Sequence, residues 1–168
     1  EWDLTFGQKE EFPSFGKEDL CIVGAPVYSG RIPKQEREQL KKLVGNDTPC
    51  LLLVVYGNRA YEDTLVELQD ITKQAGFRVI AAVSAIAEHS IVRQVAAGRP
   101  DKQDVHKLLE FAKEIQKKVS SGDTMEPDIP GNRPYKKASE VGMIPKPTKG
   151  CVKCGLCAKE CPVQAIDV

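Results

Sequence analysis

Four of the six cysteines, Cys151, Cys154, Cys157 and Cys161, fall within eleven positions, in the run C-V-K-C-G-L-C-A-K-E-C-P-V-Q-A-I. Two-residue gaps wrap a tight loop around one face of an iron–sulfur cubane, so three thiolates can reach three irons. Gly155 lets the backbone come close enough for N–H groups to point at sulfur. Cys161 followed by Pro162 completes the spacing C-x2-C-x2-C-x3-C-P, whose last cysteine serves the other cluster where there are two. The rival chemistry is a structural zinc site, but zinc ribbons and fingers usually set two short Cys pairs apart by a longer stretch. A disulfide framework would spread its cysteines and would usually be secreted. The run therefore predicts 4Fe–4S ligation, with a zinc site or a metal-free knuckle as the alternatives.

The rest of the chain must be read for elements that could hold a second group. Apolar runs at 20–23, 51–56 and 77–83 are rich in Val, Ile and Leu, with little polar alternation. Such runs suit strands buried on both faces, as in a parallel sheet. Between them, 34–44 and 61–75 read as helices; the second places Leu65, Leu68, Ile71 and Ala75 on one stripe and stops at Gly76. A last helix is predicted over 104–119, from Val105, Leu108, Leu109, Ala112, Ile115 and Val119, with Asp101 or Asp104 as its cap. Alternating strands and helices predict an open α/β parallel sheet with helices on both faces. Ligands of such sheets sit at the carboxyl ends of the strands. The loops there are 24–33, 56–63 and 84–90. Cys21 and Cys50 stand alone beside strand-like runs and read as small buried hydrophobes. Residues 123–150 hold five of the eleven prolines and no periodicity, which predicts a linker or an extended strap lying on a neighbouring surface.

Composition narrows the function classes. Lys+Arg and Asp+Glu both number 24, for a formal charge of zero, and no basic cluster with interleaved aromatics points to nucleic acid. The longest apolar run, 50–56, is too short to span a bilayer. The opening Glu1-Trp2-Asp3-Leu4 has no basic n-region, so a cytoplasmic protein is expected. No G-x-G-x-x-G fingerprint, Walker loop or Ser–His–Asp order is present.

The tail resembles the first half of a bacterial-type two-4Fe–4S ferredoxin. The body resembles a flavodoxin from its third strand onward, on the pieces G-A-P-V-Y-S-G-R-I-P, Y-G-N-R-A-Y-E-D and A-E-H-S. Together they resemble the flavodoxin–ferredoxin fusion proteins of anaerobic bacteria and archaea. The resemblance implies a flavodoxin-like domain over 1–122, a Pro/Gly-rich linker over 123–150 and half a ferredoxin domain over 151–168. It implies FMN and, in the intact protein, two 4Fe–4S clusters. Carried over by position, Tyr28 and Tyr61 stack on the flavin ring, and the backbone of Ser29, Gly30, Gly57 and Asn58 reaches its polar edge. An aromatic in a loop at the carboxyl end of a buried strand has no core to fill, so a planar ligand is a sensible partner for each Tyr. The chain departs from the flavodoxin pattern in having no Ser/Thr/Gly-rich phosphate loop. It begins near a second strand at 2–6, and the intact protein is expected to extend at both ends, the alternative being that Cys161 turns back to close a single cluster.

Three functions follow. The first is electron transfer between a flavin and 4Fe–4S clusters, serving redox partner proteins. A flavin beside a one-electron cluster joins two-electron to one-electron chemistry. The second is a flavin-dependent reductase, with His89, Glu88 or Arg59 as acid, base or anchor. The third is a non-redox module stapled by a metal knuckle. Arg31 could hold a phosphate or an acidic partner. The absence of a nicotinamide fingerprint tilts the reading toward a carrier rather than an enzyme.

Overall fold

The structure, a computed structural model, describes residues 1–5, 12, 14–138, 146–161 and 164–167. In chain order its elements are β1 (Ser14–Phe15), β2 (Cys21–Pro26), α1 (Lys34–Leu40), β3 (Val44–Gly45), β4 (Thr48–Tyr56), α2 (Thr64–Gln74), β5 (Phe77–Ile86), α3 (Lys102–Ser120) and α4 (Leu156–Glu160). The three apolar runs form one parallel sheet in the order β2-β4-β5, and β1 and β3 make a separate parallel pair. The register sets Cys21 opposite Cys50 and Pro26 opposite Val55. Pro49, which has no N–H to give, pairs only with β5, because it precedes the stretch of β4 that β2 joins.

Val23, Ala25, Cys50, Leu52, Val54 and Val79 bury one face of the sheet with Leu65, Val66, Leu68 and Ile71 of α2. The period of two puts the intervening residues on the other face. There Ile22 is 65% exposed and Val55 39%, so the expectation of strands buried on both faces is corrected. The last long helix, α3, packs on β5 without burying any of its own residues.

Local signals explain most boundaries. Asp101 caps α3: its carboxylate accepts from the N–H of Gln103 (2.8 Å) and Asp104 (3.0 Å), and Asp104 accepts from the Asp101 N–H (2.8 Å). Gly76, at φ 89°, ends the turn after α2, and a Cβ there would overlap the Gly45 carbonyl. Two predicted elements differ. The helix expected over 34–44 stops at Leu40, because Val44 and Gly45 pair with Ser14 and Phe15 instead. The strand expected over 2–6 is absent from residues 2–5, where Trp2 packs edge-on against Phe15 at 6.0 Å; Phe6 lies outside the described residues.

Within the stretch 123–138 there is no helix or strand, yet it is anchored. Glu126 accepts from Gln69 and Lys73 of α2 (2.7 and 2.8 Å), and Ile129 enters the core. A Cβ on Gly131 would overlap Val66, so the backbone lies directly on α2. Arg133 forks onto Asp70 through two hydrogen bonds of 2.8 and 2.7 Å, and the Tyr135 hydroxyl donates to the same carboxylate.

Candidate functional site

The cysteine segment has no apolar core. Residues 146–161 include none that is buried, and Val152 and Leu156 are 82% and 58% exposed. Its order is local. Cys151 N–H donates to Thr148 O (3.0 Å), Gly155 takes φ 76° at the start of α4, and that helix carries Cys157. Cys161 follows α4, and its Sγ accepts from the Ala165 N–H at 3.3 Å. Cys151, Cys154 and Cys157 are exposed, Cys161 is half-buried, and none is in a disulfide. Among the described residues no three His, Cys, Asp or Glu side chains converge as a metal-ligating group. The structure therefore lines the four thiols along one short segment without gathering them. Pro162 lies outside the described residues.

The donor set nonetheless fits a 4Fe–4S cluster. Four uncommitted thiols at ligating intervals, a left-handed glycine between them and an N–H aimed at sulfur are the pieces such a group requires. With no buried apolar residue to draw the segment together, ligation would supply the folding free energy, as in other small metal-organised units. Cys50 is of a different kind. Burial, and the neighbouring Cys21, push its thiol up to about 12, so it is inert packing. Cys21 is half-buried and also raised, by burial and then by Asp19.

At the carboxyl ends of β2 and β4 the loops touch each other. Tyr28 and Arg31 exchange two backbone hydrogen bonds (3.0 and 3.1 Å) around Ser29 (φ 55°) and Gly30 (φ 78°). Positive φ at both central residues is the mark of a type I′ turn. A Cβ on Gly30 would overlap the Glu62 side chain, so this turn lies against the second loop. Gly57 abuts His89 so closely that a Cβ would come within 2.8 Å of His89 Cα. Asn58 and Glu62 also take positive φ, 56° and 44°. The Glu62 conformation is one reason the helix begins at Thr64 and not at Tyr61 as predicted. The third expected loop starts later than predicted, since Ser84, Ala85 and Ile86 belong to β5.

Of the six residues assigned to a ring ligand, Asn58 and Tyr61 line one shallow depression, with Tyr56, Arg59, Glu62, Asp63 and residues 130–132. The Tyr61 ring packs edge-on against Tyr56 at 5.5 Å and also touches the core. Tyr28 is 60% exposed on the neighbouring turn and does not line that depression. The two tyrosines therefore do not line the same depression. Gly30 and Gly57 are packed closely against Glu62 and His89, while Ser29 is exposed on its turn.

Beneath the loops lies a charge network that the sequence does not announce. Glu67 of α2 accepts from Arg31 (2.8 and 2.6 Å), Arg37 (3.3 Å) and the Ile32 N–H (3.1 Å). Burial alone would push its carboxyl up, but Arg31, Ile32 and Arg37 hold it below the usual range. Arg31 also donates to Lys136 O and stacks over Tyr135 at 4.9 Å. Asp63 accepts from the N–H of Lys136 (2.7 Å) and of Asn132 (2.8 Å), and from Asn132 Nδ2 (3.0 Å). Those bonds hold Asp63 below its ordinary value of 3.8. Arg31 is thus committed internally rather than offered to a phosphate.

Among the described residues no helix is long and apolar enough to cross a membrane. Comparison with curated proteins and with solved structures gives no match for the chain. Residues 148–167 match the family model described as a 4Fe-4S binding domain. The segment bearing Cys151, Cys154, Cys157 and Cys161 is therefore a ferredoxin-type 4Fe–4S segment, joined in one chain to a parallel α/β sheet.

Proposed function

We propose that this protein is an electron carrier in which 4Fe–4S clusters exchange electrons with an FMN seated over the carboxyl ends of β2 and β4. The observation that carries the reading is the cysteine run itself, C-x2-C-x2-C-x3-C within a segment matched as 4Fe–4S binding. Cys151, Cys154 and Cys157 ligate one cluster, and Cys161 serves a second. When bound, the clusters supply one-electron chemistry and the flavin one- or two-electron chemistry. Division into a flavin domain (1–122), a connecting strap (123–150) and a ferredoxin segment (151–168), working in the cytoplasm with redox partner proteins, belongs to the same proposal.

Support for the flavin comes from the converging loops. Three non-glycine residues, Ser29, Asn58 and Glu62, hold left-handed backbones within the two carboxyl-end loops. Each such conformation costs roughly 1–2 kcal/mol, and strain of this kind concentrates at ligand sites. Tyr61 and Asn58 would present the ring-binding surface, with Tyr28 at its rim. The groups an enzyme would use are tied down. His89 Nδ1 accepts from the N–H of Ile91 (3.2 Å) and Val92 (3.1 Å). Glu88 accepts from Gly98 N–H and Arg93, which hold it ionised, and Arg59 pairs with Glu62. These commitments favour the carrier over a reductase.

Anaerobic reconstitution followed by iron, sulfide and zinc analysis tests the first half. Iron and sulfide with broad visible absorption are expected, lost on Cys154→Ser; zinc without that absorption refutes it. FMN fluorescence titration tests the second half. Aromatic stacking contributes about 0.5–1.5 kcal/mol beyond burial, so Tyr61→Ala should weaken FMN several-fold to about tenfold. Unchanged affinity in both Tyr61→Ala and Tyr28→Ala removes the flavin and leaves the cluster reading intact.

A further inference from the structure

The neutral net charge conceals a local imbalance. Residues 146–161 hold Lys146, Lys149, Lys153 and Lys159 against Glu160 alone, a net of +3, while the remainder carries 20 basic against 23 acidic residues, a net of −3. The basic side chains elsewhere are largely neutralised. Each of the seven arginines is ion-paired: Arg31 and Arg37 with Glu67, Arg59 with Glu62, Arg78 with Asp47, Arg93 with Glu88, Arg99 with Asp104 and Arg133 with Asp70. The four lysines around the cysteines have no ion pair or hydrogen-bonded side-chain partner among the described residues, and all four are exposed. Other unpaired lysines, such as Lys34, Lys102, Lys113 and Lys117, are spread singly along α1 and α3.

We propose that residues 146–161 form a basic docking surface that presents the iron–sulfur edge of this protein to an acidic electron-carrier protein. The proposal rests on the 4Fe–4S reading for the word electron, and on the charges for the word acidic. Unpaired cations clustered on one exposed segment raise the local concentration of an anionic partner and its association rate by about 10- to 1,000-fold, falling steeply with salt. Thiolate ligation would lower the net charge of the segment, but ammonium groups on flexible four-carbon stems remain at its outer rim, where a partner arrives first. Cys151, Cys154 and Cys157 are themselves exposed, so a group they hold lies at the surface the lysines frame. The chemistry disfavours nucleic acid as the polyanion. Residues 136–168 contain no aromatic side chain on which a base could stack, and residues 134–168 contain no arginine to fork onto a phosphate.

The test uses the whole chain, before and after anaerobic reconstitution. The probe is a purified, small, acidic 2Fe–2S ferredoxin; binding is followed by fluorescence anisotropy, and contacts by zero-length carbodiimide cross-linking of amines to carboxylates. At an ionic strength of about 0.01 M, where the screening length is about 30 Å, binding should be clear; at about 0.15 M and about 8 Å it should weaken markedly. Changing Lys146, Lys149, Lys153 and Lys159 together to Gln should lower affinity about 10-fold or more at low salt. Changing Lys102, Lys113 and Lys117 of α3 to Gln should leave it within about twofold. Cross-links should map to the four lysines in the segment. Equal losses in the two variants, cross-links confined to α3, no binding at low salt, or tighter binding to a short DNA duplex than to the ferredoxin would each overturn the proposal. Iron and sulfide analysis of the same samples is a separate readout. Lysine-dependent binding by a chain that takes up no iron would leave the acidic partner standing and sink the electron-carrier reading.

Discussion

Replacing Asp63 by Ala should detach residues 130–136 from the carboxyl-end loops. Asp63 is 1% exposed, and its carboxylate accepts two backbone N–H groups and one side-chain N–H from that strap, at 2.7–3.0 Å. A hydrogen bond to a charged group contributes about 1.5–3 kcal/mol. The two backbone bonds alone therefore set an upper range of about 3–6 kcal/mol for Asp63→Ala. The strap can lift and let water satisfy Asn132 and Lys136, regaining backbone freedom worth about 1–2 kcal/mol per residue. The observed loss should fall near the bottom of the range, about 3 kcal/mol, or about 6–12 °C in Tm for a domain of this size. Thermal melts give the total, and amide hydrogen exchange locates it: protection at Asn132 and Lys136 should collapse while β4 stays protected. The same bonds depress the Asp63 pKa, so acid should act in the same way. The depressed carboxylate contributes its full stabilisation above its ordinary value of 3.8 and loses it as pH falls through the lower folded value. Strap amides should thus open below about pH 4 in the native protein and show no such step in Asp63→Ala. Protection at Asn132 and Lys136 that survives the substitution would refute the reasoning.

Two further outcomes follow from the same geometry. Glu67→Gln strands the Arg31 and Arg37 charges beneath the loops and should cost about 3–5 kcal/mol in urea unfolding; a loss under about 1 kcal/mol would show that Lys136 O and the Tyr135 ring suffice for Arg31. Asp101→Ala removes the two hydrogen bonds that its carboxylate accepts at the start of α3 and should cost about 0.5–2 kcal/mol, seen as faster exchange in its first turn, with Asp101→Asn recovering most of it.

What the sequence made legible was whatever is encoded locally. The apolar runs at 51–56 and 77–83 became β4 and β5, the stripe through Leu65, Leu68 and Ile71 became the buried face of α2, and Asp101 capped the helix it precedes. Spacing sufficed to read the cysteine run, because ligation depends on neighbours a few residues apart. Misreadings arose where partners lie far off in sequence. Asp63 falls within the helix expected over 61–75, yet it precedes α2, makes no capping bond with its carboxylate and turns instead to residues 69 and 73 positions away. Val44 continues a helical pattern until Ser14 pairs with it. No local signal carries either of these, since each is decided by which surfaces the sheet brings together.

The chain thus holds itself together by two different kinds of physics, and this bears on how its parts can work. Residues 14–138 are fixed by a buried interior of Val, Leu and Ile, and by the buried carboxylates of Asp63 and Glu67, which accept from the strap and from the loop after β2. Perturbing that interior costs several kcal/mol wherever it is cut. Residues 146–161 have no such interior; with every apolar side chain in the segment at least partly exposed, burial cannot choose one conformation over another. Thiolate–iron bonds are then the strongest interactions able to order it, and they are reversible and sensitive to oxidant. An electron-transfer site gains from that arrangement. The ligating thiols stay near the surface, where a partner protein can approach them, while the strap joined to Asp63 and Asp70 anchors the chain that leads to them onto a body fixed by apolar packing.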